Sequence, residues 1–254
     1  MRKAPRRSTR DGGGPARHAD LGHPSTTAHR DETDVEATLS ATDPELGRVI
    51  DAVIARVGRL ELTPSRASPF EALLRAIVYQ QMAGKAAASV YKNFRASVAG
   101  ALTPKKMLAL SPERLRAAGL SAAKVKYARS LADWFARNPK TAKSLPALSN
   151  GEVVEALTTI PGIGIWTANV FLIFSLHRLD VVPASDLGIR RGVQLAYGLA
   201  RPATPEMVIE KARRWRPYQS IASMYLWNAV KLKIGPDALR GGRDASNVRD
   251  DVQD

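Results

Sequence analysis

Two features of this sequence have the residue types and spacing for chemistry. The first is Asp186, in the run Pro183-Ala184-Ser185-Asp186-Leu187-Gly188-Ile189-Arg190-Arg191-Gly192. A short Pro-led loop delivers this acid to the mouth of a helix, where the dipole favours a negative charge. A carboxylate so placed can stabilise a developing cation, and it can orient or deprotonate a water. The plainer reading is an N-cap, since Asp is among the residues favoured there. The second feature is the Pro-Gly-x-Gly turn within Leu157-Thr158-Thr159-Ile160-Pro161-Gly162-Ile163-Gly164-Ile165-Trp166-Thr167-Ala168-Asn169. Gly162 and Gly164 lack a Cβ, so the backbone there can take left-handed dihedrals and approach another surface closely. The helix that follows offers free N–H groups and a positive dipole end, which suits a phosphate. The plainer reading is a simple helix connection. With Trp166 just inside the first helix, the two features together describe an acid held near an anion clamp.

The elements that must position them are helical. Asp43-Pro44-Glu45 starts a helix whose apolar residues Leu46, Val49, Ile50, Val53, Ile54 and Val57 keep helical spacing. Ser68-Pro69-Phe70-Glu71 starts another, with Phe70, Leu73, Leu74, Ile77 and Val78 on one face, ending near Gln80-Gln81-Met82. A third is expected over 85–98. Thr103-Pro104 and Ser111-Pro112-Glu113 cap two short helices, and a longer one over 121–137 is stopped by Asn138-Pro139. Ser149-Asn150-Gly151-Glu152 leads the helix into the turn, followed by helices over 165–176, 186–197, 204–214 and 218–231. No stretch of useful length alternates as a strand does, so the class is all-α. Residues 1–36 are rich in Gly, Arg, Ser, Thr and Asp and poor in large apolar residues, and read as a disordered basic tail. His18, His23 and His29 lie there with nothing to hold them around a metal. Residues 37–234 read as the folded domain and 235–254 as a flexible C-terminal tail.

The 254 residues are 44% hydrophobic, enough for one substantial core, and carry a net charge of +14. Such an excess attracts polyanions and points to nucleic acid. It is not confined to the tail: Arg75, Lys85, Lys92, Lys105, Lys106, Lys124, Lys126, Arg190, Arg191, Arg213, Arg214, Lys231 and Lys233 lie in the body. The absence of cysteine excludes disulfides, thiolate zinc sites, a cysteine nucleophile and a cysteine-held iron–sulfur cluster. No apolar run follows the N-terminal basic residues, so no secretory signal is read, and an intracellular setting is expected. The longest apolar run, 170–176, is too short for a bilayer, and no membrane partner is expected.

The stretch 157–192 resembles the helix-hairpin-helix superfamily of DNA glycosylases, in its 3-methyladenine DNA glycosylase II branch. Ile160 to Ala168 match that family's hairpin, and Pro183 to Ile189 its catalytic-acid segment. Ala76-Ile77-Val78-Tyr79-Gln80-Gln81-Met82 upstream match as well, as do Trp215-Arg216-Pro217-Tyr218 and Tyr225-Leu226-Trp227 downstream. The likeness runs from about residue 43 to 232. It implies a two-lobed helical fold without the β-domain of larger members, acting as a monomer on double-stranded DNA that contains damaged bases. It further implies excision of alkylated purines by hydrolysis of the N-glycosidic bond, with Asp186 as the catalytic acid. Backbone groups of Gly162, Ile163, Gly164 and Thr167 would hold a DNA phosphate. Trp166, Trp227, Tyr218 and Tyr79 would line the base pocket, where an aromatic face attracts a cationic lesion by roughly 0.5–2 kcal/mol. Core filling is the plainer reading of these aromatics, above all of Tyr79. Gln81 or Met82 would fill the gap left by the extruded base. No cofactor is required; the family adds a monovalent cation, Na+ or K+, at the carbonyls of Thr158, Ile160 and Ile163.

Relatives that also nick the strand place a Schiff-base lysine where this chain has Trp166, so base removal alone is expected; Lys85 and Lys124 are the weaker candidates for a nucleophile. Asp180 is expected to cap or to pair with Arg178. Gln219 and Val170 depart from the family's commoner Arg and aromatic residues. Two other readings stand beside this one. One is a glycosylase for uracil, hypoxanthine or an ethenoadduct. The other is a non-catalytic helix-hairpin-helix DNA-binding protein, favoured if Asp186 and Trp227 point to different faces.

Overall fold

The helix starts follow from small polar residues set before a proline or an acid. In the computed structural model, which describes residues 34–63, 65, 67–82 and 84–239, Asp34 caps α1 (Val35–Thr42) and Asp43 caps α2 (Pro44–Val57). Ser68 caps α3 (Pro69–Tyr79), and α4 spans Gly84–Ala96. Thr103, Ser111 and Ser121 cap α5 (Pro104–Ala109), α6 (Pro112–Ala117) and α7 (Ala122–Arg137). After α8 (Pro139–Ser144), Ser149 opens α9 (Asn150–Thr158) with a full capping box to Glu152. Gly164 precedes α10 (Ile165–Phe174), Asp186 caps α11 (Leu187–Tyr197), Thr204 caps α12 (Pro205–Ala212), and α13 spans Gln219–Lys231. Each capping side chain accepts the N–H three residues on, worth about 1 kcal/mol apiece. Short 3-10 turns cover Arg213–Trp215 and Pro236–Leu239. Among the described residues there is no strand, and no helix is long and apolar enough to cross a membrane.

The differences from expectation lie at the edges. Helix α1 starts two residues inside the segment read as tail: Asp34 caps it, Leu39 is buried, and Glu36 accepts the Tyr225 hydroxyl at 2.6 Å. At the other end, Pro236–Leu239 turns back and buries Leu239, so order continues past 235. Asn138-Pro139 ends one helix but also starts α8, Pro139 taking the first helical position. The tail histidines, the first basic cluster and Gly241-Gly242 lie outside the described residues.

Two cores form. The middle of the chain, from α3 to α10, encloses Phe70, Ile77, Phe94, Leu131, Leu157 and Leu172. The second is built from both ends: Leu46 and Ile50 of α2 meet Val193 of α11, Trp215, and Tyr225 and Leu226 of α13. Leu62 and Trp227 pack against both cores, and so mark the seam between the lobes. Asp43 is the polar tie of the second lobe. It is fully buried; its Oδ1 caps α2 through Leu46 N at 3.1 Å, while Oδ2 accepts the Tyr197 hydroxyl and the Trp215 indole N–H at 2.8 Å. Several cations of the body are also structural. Lys106 donates to Ala99 O, Lys124 to Val78 O, Arg129 to Leu110 O and Arg190 to Ala203 O, meeting carbonyls at helix ends and loops.

Replacing Asp43 strands two buried donors and removes a cap. Asp43→Ala is expected to cost about 3 kcal/mol or more in a urea unfolding measurement. Three phenols are also held neutral by burial first and an adjacent carboxylate second: Tyr91, pushed up to about 12 beside Glu71, and Tyr197 and Tyr225, raised further beside Asp43 and Glu36. Because the folded values lie above the ordinary phenol value, the stability they contribute is complete below about pH 10; the share of Tyr91 is lost as pH rises through about 12, and those of Tyr197 and Tyr225 at higher pH still. Absorbance at 295 nm should show tyrosine ionisation displaced upward from that of the urea-unfolded chain.

Candidate active site

Asp186 ends the Pro-led loop in an extended conformation (φ −66°, ψ 128°) and caps α11, Oδ1 accepting Ile189 N at 2.9 Å. The N-cap reading is therefore correct, but the cap uses only part of the carboxylate. Oδ1 also accepts the indole N–H of Trp227, and Oδ2 that of Trp166, each at 2.7 Å. Trp166 comes from the first turn of α10 in one lobe and Trp227 from α13 in the other. The acid thus sits on the seam, clasped from both sides. Trp166, Val170 and Phe174 recur at helical spacing on one face of α10. Phe174 stacks on Trp227, centroids 5.9 Å apart. Trp166, which donates to this carboxylate, Phe174, which stacks on Trp227, and Leu187, the next residue in the chain, are large apolar residues exposed to solvent. Exposed apolar residues clustered about an acid mark a binding surface.

Glycines let Trp227 reach the acid. A Cβ at Gly188 would lie 2.8 Å from Trp227 Cδ1 and 2.9 Å from Asp186 Oδ1; one at Gly192 would lie 2.7 Å from Leu226 Cβ. The bare face of α11 at these two positions therefore sets how closely α13 packs. Asp186 and Trp227 converge on one point, which removes the geometric condition that would have favoured a non-catalytic module.

The hairpin lies beside this cluster along α10. Gly162 takes the left-handed conformation (φ 90°), and a Cβ there would overlap the ring of Tyr127 from α7. Gly164 is different: it is extended (φ −97°, ψ 176°), with nothing within 4 Å of where a Cβ would stand. Only the first glycine is needed for its dihedral; the second leaves open space in front of α10. No side chain caps α10, so the N–H groups of its first turn face that space. Thr167 is buried, so it can serve a phosphate through its backbone alone, while the N–H of the buried Ile163 is already engaged within the turn. Ile163 N closes the turn on Ile160 O at 3.0 Å.

Other expected residues are placed elsewhere. Tyr79 is half-buried and packs edge-on to Tyr91 at 6.3 Å, under the Arg75 guanidinium at 4.9 Å. Tyr218 stands before the first turn of α13 against the second core, about 13 Å along the helix from Trp227 at 1.5 Å per residue. Gln81 is exposed with φ 54°, at the apex of the turn after α3, and Met82 beside it is half-buried. Asp180 pairs with Arg216 at 3.3 Å instead of Arg178, whose guanidinium donates to Pro146 O and Leu148 O. Gln219 is buried and donates to Ala212 O. The Lys124 amine is shifted down by burial and donates to Val78 O at 2.6 Å.

Phe174, Gly188, Tyr127 and Gln80 are participants that sequence reasoning missed. Gln80 Nε2 donates to Gly162 O at 2.9 Å and to Thr167 Oγ1 at 3.3 Å. The spacing of Gly188 and Gly192 was a usable signal for close helix packing. Gln80 lay inside the matching Ala76–Met82 block without a role of its own, and nothing local marks Tyr127.

Residues 74–217 match the HhH-GPD superfamily of base excision DNA repair proteins. The chain is 35% identical over 203 residues to DNA-3-methyladenine glycosylase 1 of Schizosaccharomyces pombe, covering 79% of this chain and 88% of that protein. The solved structure of a Schizosaccharomyces pombe 3-methyladenine DNA glycosylase in complex with abasic DNA superposes with a TM-score of 0.69 at 33% identity, over 78% of this chain and 97% of that one. A DNA-3-methyladenine glycosidase from Bacillus halodurans gives a TM-score of 0.69 at 33% identity, over 81% and 94%.

Gly188→Ala should push the Trp227 indole from Asp186 and cost about 1–3 kcal/mol through overpacking. In 15N–1H spectra of the variant, the Trp227 indole resonance should shift and exchange faster with solvent while that of Trp215, bonded to Asp43, stays in place.

Proposed function

Because the chain belongs to the HhH-GPD superfamily of base excision DNA repair proteins, we propose that it is a monofunctional DNA glycosylase that releases alkylated purines of the 3-methyladenine type. The observation that carries this reading is the Asp186 carboxylate set among exposed aromatic residues beside the open front of α10. Duplex DNA docks with a phosphate against the backbone N–H groups between Gly162 and Thr167. Gln81, with Met82 behind it, fills the stack as the damaged nucleotide rotates out. Both indole N–H groups are committed to the carboxylate, so Trp166 and Trp227 offer the base their faces rather than a hydrogen bond. A face suits the positive ring of an alkylated purine.

The C1′–N bond then breaks, its electron pair leaves with the base, and the sugar becomes oxocarbenium-like. Oδ1 already accepts two N–H donors and Oδ2 one, so Oδ2 keeps the capacity to face the sugar and a water. The water adds to C1′ and gives its proton to Asp186, leaving an abasic site. Trp166 stands where a Schiff-base lysine would be, so the strand is not cut. A Na+ or K+ ion fits carbonyl donors such as those of Thr158, Ile160 and Ile163 at the hairpin better than any side-chain set. Among the described residues no three His, Asp or Glu gather around a point. Bound there, the ion would add positive charge to the phosphate clamp. The enzyme would act as a monomer on intracellular duplex DNA. A second reading, excision of wider or neutral lesions such as ethenoadducts, hypoxanthine or uracil, is favoured by Val170. This half-buried residue stands one turn from both Trp166 and Phe174 and is smaller than the aromatic residue that the family more often carries there.

Duplexes carrying 3-methyladenine or 7-methylguanine should lose the base to the wild-type chain, and Asp186→Asn should slow release by about 100-fold or more. No release by the wild type, or equal release by the variant, overturns the proposal. A panel including ethenoadenine, hypoxanthine and uracil separates the two lesion classes.

A further inference from the structure

The turn that carries Gln81 is bolted to the hairpin. Gln80 is the C-cap of α3, its own N–H bonded back to Ala76 O at 3.1 Å, so its side chain starts from a fixed point. Its amide crosses to the hairpin and donates to Gly162 O and Thr167 Oγ1. These groups belong to the turn and the first turn of α10, on either side of the open space at Gly164. The Tyr127 ring of α7 lies against the α-carbon of Gly162. The third side of the triangle is Lys124, one turn before Tyr127 on α7, whose amine holds Val78 O at the end of α3. The end of α3, the start of α7 and the hairpin are thereby closed into one brace. At its apex stands Gln81, in a left-handed conformation that residues with a side chain rarely adopt.

We infer that Gln80 is a positioning residue for base extrusion: it fixes the distance between the side chain that enters the stack and the clamp that holds the strand. This rests on the glycosylase reading above. A wedge works only against a strand that cannot follow it. If the clamp and the wedge were free to move apart, the duplex could shift on the protein instead of opening. Gln80 touches neither the acid nor its two indoles, and it meets the clamp through Gly162 O and Thr167 Oγ1 rather than through the N–H groups that face a phosphate, so its effect should appear in extrusion and not in the affinity for unopened duplex.

The full chain is compared with Gln80→Ala and with Gln80→Glu, which keeps the length of the side chain but replaces the N–H donors with an acceptor. Three quantities are read: affinity for undamaged duplex, single-turnover release of 7-methylguanine, and fluorescence of 2-aminopurine next to the lesion, which rises when the stack opens. Both variants should hold undamaged duplex within about twofold of wild type, give a smaller fluorescence rise and release the base about tenfold more slowly, as expected of lost positioning. Wild-type release by either variant overturns the inference. So does a slower release matched by an equal loss of affinity for undamaged duplex. Recovery of wild-type rates by Gln80→Glu alone shows that donation is not what matters and also overturns it. A wild-type chain that releases no base sinks the glycosylase reading itself, a different result from an active wild type whose Gln80 variants are equally active.

Discussion

A carboxylate shared between two lobes is the constraint on which this structure turns. Asp186 accepts one indole N–H from α10 and one from α13, and a backbone N–H from its own helix. No single lobe supplies all three. The acid's orientation therefore depends on how the lobes pack, at a seam where Leu62 and Trp227 lie against both cores. Three donors also keep the charged form satisfied in a largely apolar setting, where an unpartnered carboxylate would be costly.

The same logic explains why small residues gather on α11. Close approach of α13 is possible because positions 188 and 192 carry no side chain. Large residues there would hold Trp227 away, and the clasp would keep only its Trp166 half. At the hairpin the economy is reversed: Gly162 is filled against by Tyr127, while Gly164 leaves its front open. Two glycines two residues apart thus do different jobs, one shaping the turn and one leaving room for a visitor.

Much of this was legible in the chain itself. Caps at Asp43, Ser68, Ser111, Ser149 and Thr204 are local signals, and each begins a helix where it is read. Asp186 and Trp166 were legible because their types and spacing are uncommon together. What escaped was tertiary. Helix α10 is apolar on nearly every side, so no periodicity singles out Phe174 as the ring that meets Trp227. Tyr79 was ambiguous from the sequence because Tyr91 and Arg75, which hold it, sit on other turns. The basic body reads as a polyanion surface, yet Lys106, Lys124, Arg129 and Arg190 are engaged with main-chain carbonyls. Net charge reports the excess of cations over anions and says nothing of what the cations hold.

The interleaving of the two cores bears on how the molecule is made. The middle of the chain supplies one lobe entire, while the other needs both α2 and α13. During synthesis the inner lobe can close once α10 has emerged, with its hairpin already shaped. The acid at 186 then waits on a tryptophan made 41 residues later, since Trp227 is among the last groups of the fold to appear. A growing chain can therefore hold a shaped hairpin before it holds a competent carboxylate, and only the finished polypeptide unites them.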